Sequence, residues 1–535
     1  MYYRDNFLYL VDFVQKHSFH LLDENAHQFI KDFRELSVDG QCVYIRLINR
    51  KGPYFRFSKF FYDEIEDIPG GFQELELRGF ISDEITEPEY LPDLFRKEEL
   101  VNLFPEVSYA RRFRKEHFTM EIVSEVEKWE SRLLQTDQII KPARLEELDY
   151  IKMLFFGHYG GLMTDFVVRD IGNVRLEKLD DQKFKPWFST IEVAKATYEA
   201  SRLYQGVKIA LKTLSIEEID ELLRKVDWPA LTQYRKSQAV TDKLLLKIAW
   251  ELERNLYFDA ALHYYQFAGK HPSRERQIRI LDQQGKQEKA QQIAIEILED
   301  YRNAEELLFA KDFLQRTGKR INRTTTQAIA NAPEVALPSE ALRVERQVLR
   351  HFAEQGYDGL HSENYIWRST FGLTFWDLLY DQEQMSFHNP LQRQSDDLYT
   401  IENKEIFLEY LNRFGTRKQL KKYWQTIANE KFGINNPFVY WHSELIEHVE
   451  TLLDRVPFKA VKNIMITMTE NLRENSKGFP DLFVWNDTRY HFYEVKSPND
   501  HLSPQQLFWI DRFRENKIKC DILRVRYTGP TSVDL

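Results

Sequence analysis

The C-terminal part of the chain constrains the fold most, because it reads as one ordered set of short elements. Hydrophobic periodicity predicts a helix over residues 458–475, strands over 481–485 and 490–496, a helix over 503–515 and a strand over 519–525. Asn-Asp-Thr separates the first two strands and Ser-Pro opens the second helix, which are signals for a tight turn and a helix start. This αββαβ order predicts a small mixed sheet with flanking helices.

Three charged residues stand in these strands where a core would take apolar side chains: Asp481, Glu494 and Lys496. Glu494 and Lys496 are two residues apart and project from one face of their strand, while Asp481 opens the neighbouring strand. Unpaired charges are costly to bury, and two carboxylates that repel each other suit a divalent cation that prefers oxygen ligands, Mg²⁺ or Mn²⁺. A nearby lysine would orient or deprotonate a water for attack on phosphorus. The pattern therefore predicts metal-dependent phosphodiester hydrolysis, and an ordinary Glu–Lys ion pair on a solvated strand face is the alternative.

Length and composition indicate a multi-domain protein. A chain of 535 residues exceeds a single core, and 43% hydrophobic with 30% charged residues is typical of ordered globular proteins. Two cysteines exclude a disulfide framework and a Cys-rich zinc module. The N-terminal stretch MYYRDNFLYLVDF lacks the features of a signal peptide, and no apolar run is long enough to span a bilayer. We expect a cytoplasmic protein without a membrane partner.

A basic and aromatic stretch near the N-terminus is the first candidate for DNA contact. The sequence RLINRKGPYFRF interleaves Arg50, Lys51 and Arg56 with aromatic rings. This mixture is typical of surfaces that follow a nucleic-acid backbone, with cations for phosphates and rings for stacking. A core edge with a solvated basic face is the alternative. Because the net charge is −10, any DNA contact is expected to be local.

The middle of the chain is helical and carries a second basic cluster. The segments ERNLYFDAALHYYQFA and LDQQGKQEKAQQIAIEIL share a break, small residues and then large apolar ones, as in stacked helical hairpins that resemble tetratricopeptide repeats. Between them lie Arg274, Arg276 and Arg279, which could hold a phosphate or form a solvated turn. Residues 322–339 are rich in Thr, Ala and Pro and are predicted to be a linker.

The resemblance of the chain to a known family rests on several of these segments. PDLFVW…FYEVKSPNDHLSPQQLFWI resembles the VRR-NUC domain of the PD-(D/E)xK superfamily. HSENYIWRSTFGLTFWDLLY, predicted as a deeply buried helix with Glu363 at its start, resembles a segment of the Fanconi-associated nuclease family. The N-terminal stretch, RLINRKGPYFRF and the TPR-like middle are also similar to that family. The resemblance covers nearly the whole chain and indicates a bacterial-type member.

The resemblance implies a mostly α, multi-domain nuclease with a C-terminal α/β PD-(D/E)xK domain. It implies a helical, SAP-like DNA-binding region over residues 1–145, a TPR-like domain over 146–321, and a nuclease domain over 340–535 with a VRR-NUC core at about 455–528. Its implied activity is that of a metal-dependent, structure-specific DNA endonuclease and 5′ to 3′ exonuclease, of phosphodiesterase I type. Such an enzyme would cut 5′ flaps and branched DNA in interstrand crosslink repair, in a bacterial cytoplasm at the nucleoid. A scaffold that binds branched DNA with weak or no cutting, and a four-way-junction resolvase, are the alternatives.

The motif match also implies the site residues. Asp481 and Glu494 become catalytic metal ligands, and Lys496 becomes the base that positions the attacking water. Three more residues join them by the same match: Glu363 as an acidic ligand from the helical part, Val495 through its carbonyl oxygen, and Gln506 as an active-site glutamine. The family also holds the 5′-terminal phosphate of a flap in a basic pocket, for which Arg279 is the candidate, with Arg274 and Arg276 nearby. The chain departs from the family pattern at Ser497, where Gly is frequent, and at Gln505, where Lys is frequent.

Overall fold

A computed structural model describes residues 2–107, 114–163, 175–315, 324–399 and 404–528. Its internal contacts divide the chain into two compact units. The first unit comprises Met1–Phe166 with Pro186–Tyr198, and the second comprises Val167–Lys185 with Glu199–Leu535. The three domains inferred from the sequence, with borders near residues 145 and 321–340, stay a prediction.

Helices make up most of the described chain, as predicted. In order they are Tyr2–His17, Glu24–Arg34, Val38–Ile48, Ile68–Leu77, Lys97–Leu103, Lys115–Glu125, Trp129–Leu134, Leu145–Phe156, Ile191–Ala210, Ile216–Leu223, Trp228–Thr232, Arg235–Arg254, Phe258–Phe267, Ser273–Gln283, Gln287–Glu299, Ala304–Leu314, Thr324–Ala330, Val344–Glu354, Tyr365–Thr374, Trp376–Leu379, Lys404–Asn412, Arg417–Lys431, Leu445–Arg455, Phe458–Glu470, Leu472–Asn475 and Pro504–Glu515. Within the described ranges, none of these helices combines the length and the apolar character that crossing a membrane requires.

The first unit joins its helices to a three-stranded antiparallel sheet. Its strands are β1 (Phe55–Arg56), β2 (Ile81–Ser82) and β3 (Ile139–Pro142), in the order β1-β3-β2. Side-chain caps explain where two of the helices begin: Asp23 accepts a hydrogen bond from the Ala26 N–H and Ser37 accepts one from the Gly40 N–H. Clustered aromatic rings fill the core between the helices, among them Phe29, Phe33, Tyr44 and Phe80.

The helical middle of the second unit is built from consecutive helices that pack on one another, as the repeat pattern predicted. The helices Arg235–Arg254 and Phe258–Phe267 bury Leu245, Ile248 and Tyr264 between them. The helices Ser273–Gln283, Gln287–Glu299 and Ala304–Leu314 share a second core with small residues at the contacts: Ala290, Ala294 and Ala310. Small side chains let neighbouring helices approach closely, which explains the alternation of small and large residues seen in the sequence.

A five-stranded sheet forms the nuclease-like part of the second unit. The strands are β4 (Glu334–Pro338), β5 (Asp358–His361), β6 (Leu482–Trp485), β7 (Tyr490–Lys496) and β8 (Cys520–Thr528). Their order is β4-β8-β7-β6-β5. β5, β6 and β7 are antiparallel neighbours, whereas β8 runs parallel to both β7 and β4.

The sheet confirms the three predicted strands and adds two that the sequence did not reveal. The predicted linker is wrong, because residues 322–339 contain the helix Thr324–Ala330 and the edge strand β4. Its Thr, Ala and Pro content is compatible with an edge position, where a proline need not donate to the ladder. The other edge strand, β5, contains Gly359 and has few apolar residues, so its pattern is weak.

A large helical insertion separates β5 from β6 in the sequence. The helix Val344–Glu354 packs on one face of the sheet through Val348, and Pro504–Glu515 covers the other face, where the Phe492 and Phe513 ring centroids are 5.2 Å apart. The sequence prediction took the helix over 458–475 as the first helix of the sheet. The structure instead places Phe458–Glu470 in the insertion, and Val344–Glu354 precedes the first antiparallel strand.

Candidate active site

The two predicted carboxylates, Asp481 and Glu494, lie on one face of the sheet. Phe483 of β6 is opposite Phe492 of β7 in the antiparallel register, and each carboxylate is two residues from one of these rings. The Val495 N–H donates a hydrogen bond of 2.8 Å to Asp481 Oδ2. The strand pairing predicted from the sequence therefore brings the two acidic residues together.

Glu494 forms a triangle of hydrogen bonds with Lys496 and Gln506. Lys496 Nζ is 2.8 Å from Glu494 Oε1 and donates to Gln506 Oε1 at 3.2 Å, and Gln506 Nε2 donates to Glu494 Oε1 at 2.6 Å. Glu494 is only 1% exposed, and Lys496 is also buried. This burial contradicts the alternative of an ion pair on a solvated strand face.

The position of Gln506 follows from the way its helix begins. Ser503 accepts a hydrogen bond from the Gln506 N–H, and the Gln506 side chain accepts one from the Ser503 N–H, which is a capping box. The spacing Ser-x-x-Gln before an apolar run is a sequence signal for this cap. It fixes the glutamine at the helix start, with its amide directed at Glu494.

Glu363 lies beside Asp481, in the turn between β5 and the helix Tyr365–Thr374, which agrees with its predicted position at the start of this helix. It follows β5, and the N–H groups of Ser362 and Glu363 donate to the Asp481 carbonyl oxygen at 2.7 and 3.0 Å. Its φ of +26° turns the chain at this point. The carboxylate is 52% exposed, accepts from Asn364 Nδ2 at 3.2 Å and lies 3.9 Å from His361 Nε2. The pairing of β5 with β6 brings Glu363 next to Asp481. Local sequence pattern does not reveal this contact, because the two strands are far apart in the chain.

The surroundings of Asp481 make its charged form less favourable than in solvent when no cation is bound. Burial raises the pKa of Asp481 to about 6, although the Val495 N–H and the Lys496 charge oppose the shift. The carboxylates of Glu345 and Glu363 add to the rise. Glu345, in the first turn of Val344–Glu354, is a member of this charge group that the sequence did not single out.

The pKa of Glu494 is raised further above its ordinary value than that of Asp481. Burial raises its pKa to about 8, and the neighbouring Asp481 carboxylate adds to the rise, whereas Lys496 lowers it. Glu494 Oε2 is buried and has no hydrogen-bond partner within the described part of the chain. A buried carboxylate oxygen without a donor is unfavourable unless a proton or a cation compensates it.

These observations test whether a divalent cation fits the site. Asp481 and the unpartnered Oε2 of Glu494 supply hard oxygen donors of the kind Mg²⁺ and Mn²⁺ prefer. In the described ranges, however, no three His, Cys, Asp or Glu side chains are gathered for one ion, and the Glu363 carboxylate is 52% exposed. The side chains of Asp481 and Glu494 therefore fit a cation held by two carboxylates. The backbone of Glu363 is bonded to that of Asp481 and lies close to this site.

The three arginines of the helical middle have different surroundings. Arg274 donates to both carboxylate oxygens of the fully buried Glu306, and Arg276 is bonded to Glu253. Arg279 pairs with Glu275 at 2.8 Å and stacks over the Phe309 ring at 4.7 Å. Arg279 alone of the three borders a cleft of about 1210 Å³. The loop 498–502, which follows Lys496, also lines this cleft.

The basic residues of the first unit also differ in exposure. Arg56 is 8% exposed and bonded to Asp137 and Glu99 at 2.8 and 2.9 Å, which are the contacts of a buried ion pair. Arg50 stacks on the Phe60 ring at 4.7 Å, and Lys51 is exposed. A role of these residues in DNA binding stays a prediction.

Comparison with known proteins places this site in a wider context. The VRR-NUC domain model matches residues 416–527, and a model described as the FAN1 HTH domain matches residues 1–82. A Fanconi-associated nuclease 1 homolog of Pseudomonas aeruginosa is 26% identical over 98% of this chain and 96% of its own length. A homolog of the same name from Arabidopsis thaliana is 24% identical over 98% of this chain and 67% of its own length.

Two solved structures share the fold over almost the entire chain. The crystal structure of paFAN1 bound to 2-nucleotide 5′-flap DNA with a gap matches with a TM-score of 0.84 and 25% identity, covering 99% of this chain and 98% of that one. The complex with 1-nucleotide 5′-flap DNA matches with a TM-score of 0.82. The agreement therefore extends from the N-terminal helices to the five-stranded sheet.

Proposed function

We infer that this chain belongs to the Fanconi-associated nuclease family with a VRR-NUC domain. From that premise we propose that it is a structure-selective DNA nuclease that hydrolyses phosphodiester bonds at 5′ flaps and related branched DNA. The observation that carries the proposal is the group of Asp481, Glu494, Lys496 and Gln506, in which Glu494 and Lys496 are buried and one Glu494 oxygen has no donor among the described residues. The fold shared with a protein solved on 5′-flap DNA supports DNA as the substrate. A 5′ to 3′ exonuclease activity and a role in interstrand crosslink repair belong to the same proposal.

Asp481 and Glu494 would hold a divalent cation, Mg²⁺ or Mn²⁺, and the Val495 carbonyl and Glu363 would be further ligands. Such an ion would neutralise charge on the phosphate and make a bound water more acidic. Gln506 keeps Glu494 oriented through the 2.6 Å hydrogen bond to Oε1, which leaves Oε2 for the cation.

We assign to Lys496 the role of orienting the attacking water. Its ammonium group has three N–H donors, and Glu494 and Gln506 accept two of them. The third donor can orient a water and stabilise the negative charge that develops on the phosphate oxygens. Burial strengthens this interaction, because little solvent screens the charge.

The direct test compares three DNA substrates under identical conditions: a 5′ flap, a four-way junction and a linear duplex. We expect Mn²⁺-dependent cutting of the flap in preference to the other two. Preferred cutting of the junction would favour a resolvase instead. Binding of the flap without any product would favour a scaffold.

Mn²⁺ binding is expected to strengthen as the pH rises from 6 to 8. Because burial raises the pKa of Asp481 to about 6 and that of Glu494 to about 8, protons compete with the cation at the lower pH. Isothermal titration calorimetry should give an affinity roughly tenfold or more higher at pH 8. The variant Glu494→Gln should bind Mn²⁺ more weakly and with less dependence on pH. Equal affinity of the parent at both pH values would contradict the assignment.

The raised pKa values of Asp481 and Glu494 affect the stability of the fold in the opposite direction to Mn²⁺ binding: stability falls as the pH rises. Both carboxyl groups hold their protons more tightly in the folded than in the unfolded chain, so deprotonation destabilises the fold. Their contribution to stability in the metal-free protein falls as the pH rises from about 4, near the ordinary carboxyl pKa, towards 8. Thermal unfolding should show a smaller fall for Glu494→Gln than for the parent over this range.

Arg279→Ala is expected to weaken cutting of 5′-phosphorylated flaps more than cutting of 5′-hydroxyl flaps. An arginine–phosphate contact accounts for roughly ten- to a hundredfold in rate, and Arg279 borders the cleft beside the loop 498–502. Cleavage rates on the two flaps measure the difference. Arg254→Ala is the matched control, because Arg254 is an exposed arginine stacked on Trp250. An equal loss on both flaps would argue against a phosphate contact.

A further inference from the structure

A second concave site lies beside the carboxylates, on the other side of Glu363. The pocket has a volume of about 570 Å³ and is lined by Leu360, His361, Tyr365, Tyr440, His442 and His448. Glu363 is directly between two of the lining residues in the sequence, and the backbone at Ser362 and Glu363 is bonded to Asp481. The wall of the pocket and the candidate metal site therefore share one turn of chain.

The register of the sheet places one lining residue of the pocket, Leu360, on the same face as the two carboxylates. Leu360 of β5 is opposite Phe483, and Phe483 is opposite Phe492. Since side chains alternate along a strand, these three residues share a face with Asp481 and Glu494. The link between the pocket and the candidate site is Glu363, whose carboxylate lies 3.9 Å from Nε2 of the lining residue His361.

Three of the lining residues, Tyr365, His442 and His448, form a chain of hydrogen bonds. The Glu444 N–H donates to His442 Nδ1 at 3.2 Å, so neutral His442 carries its proton on Nε2 and donates to the Tyr365 hydroxyl at 2.7 Å. The hydroxyl in turn donates to His448 Nδ1 at 2.9 Å. Because these ring atoms have partners, the rings offer a ligand mainly their faces.

One lining residue of the pocket, Tyr440, has a largely exposed aromatic ring. Tyr440 is 72% exposed, and its ring centroid lies 6.1 Å from that of His442 at an interplanar angle of 44°. The His442 and Tyr365 rings are 5.2 Å apart behind it. An exposed tyrosine in front of ordered rings is suited to receive a flat ligand.

We propose that this pocket receives the base of a nucleotide next to the scissile phosphate, unstacked from its neighbours. The inference rests on the proposed nuclease function and adds a subsite to it. The volume is that of a small-molecule pocket, and aromatic faces stack any base. The six lining residues include neither lysine nor arginine, which favours a base over a phosphate in this position.

The test is a cycle that combines a change in the DNA with a change in the protein. Flap substrates carry an abasic site at the nucleotide on one or the other side of the mapped cut. We expect one of the two positions to lower kcat/KM of the parent roughly tenfold, the scale of losing one base–aromatic stack. Tyr440→Ala should lower cutting of the intact flap by a similar factor and show no further loss on the abasic flap. Tyr440→Phe, which keeps the ring, should behave as the parent.

The controls separate the pocket from the general fold and from the nuclease function. Tyr257→Ala removes another exposed tyrosine and should leave the abasic effect intact. The inference is overturned if the parent tolerates both abasic sites, or if the abasic and Tyr440→Ala losses multiply in full. If the parent cuts no flap, the nuclease proposal fails. The pocket is then tested by flap affinity, measured by fluorescence anisotropy with abasic sites scanned along the branch, where Tyr440→Ala must again remove an abasic effect.

Discussion

Replacing Asp481 by asparagine should lower cutting of a 5′ flap by roughly a thousandfold or more, the scale at which a central catalytic charge is lost. The substitution keeps the size of the side chain and an oxygen that can accept the Val495 N–H. It removes the negative charge that the proposed Mg²⁺ or Mn²⁺ would require. Rates of flap cleavage in Mn²⁺ measure the effect.

The stability of the same variant distinguishes a catalytic from a structural role. Burial raises the pKa of Asp481, so the charged form is unfavourable in the metal-free fold, and Asp481→Asn should keep or raise the thermal midpoint at pH 8. Asp487→Asn, in the exposed turn between β6 and β7, is the matched control and should cut as the parent does. Parent-like cutting by Asp481→Asn would refute the ligand assignment.

Replacing Arg274 by alanine should destabilise the protein by about 3 to 5 kcal/mol, the usual consequence of leaving a buried charge without its partner. The Glu306 carboxylate is fully buried and accepts from Arg274 Nε at 2.9 Å and from the Arg302 N–H at 2.8 Å. Burial by itself would raise the pKa of Glu306, but the Arg274 hydrogen bond and charge lower it, so the group is charged at neutral pH. Chemical or thermal unfolding measures the loss.

A double variant makes the second prediction specific. Arg274→Ala combined with Glu306→Gln removes both charges and should recover a large part of the lost stability, because no uncompensated charge stays buried. A phosphate-binding role, which the sequence alone allowed for Arg274, predicts the reverse. In that case the single variant would unfold like the parent and lose only its preference for 5′-phosphorylated flaps.

Local pattern was sufficient for the strands that carry the acidic pair. β6 is a short apolar run, β7 and β8 are rich in aromatic and β-branched residues, and the Ser-Pro start and the capping box mark the helix between β7 and β8. Such signals depend on neighbours within a few residues, so a single sequence reveals them. The two edge strands lack them: β4 contains Pro338 and β5 contains Gly359, and both depend on pairing with strands more than a hundred residues away.

The basic residues show the limit of pattern most clearly. Arg56, Arg274 and Arg279 look alike in the sequence, as cations near aromatic or helical segments. The structure buries Arg56 between Asp137 and Glu99 and ties Arg274 to a buried carboxylate, whereas Arg279 borders a cleft. The partner of a long, flexible side chain is chosen by the packing of distant segments, which a local window does not contain.

The sequence by itself determined the helical majority, the order of the three main strands and the residues Asp481, Glu494 and Lys496 as one chemical group, because strand alternation is a property of adjacent residues. Only the tertiary structure decided that Glu494 and Lys496 are buried, that Gln506 orients them and that, in the described part of the chain, one Glu494 oxygen has no donor. It also decided that Glu363 is bonded through its backbone to Asp481 at a sheet edge. Burial and long-range pairing arise from segments that meet only when the chain has folded, and they set the charge state on which the proposed chemistry depends.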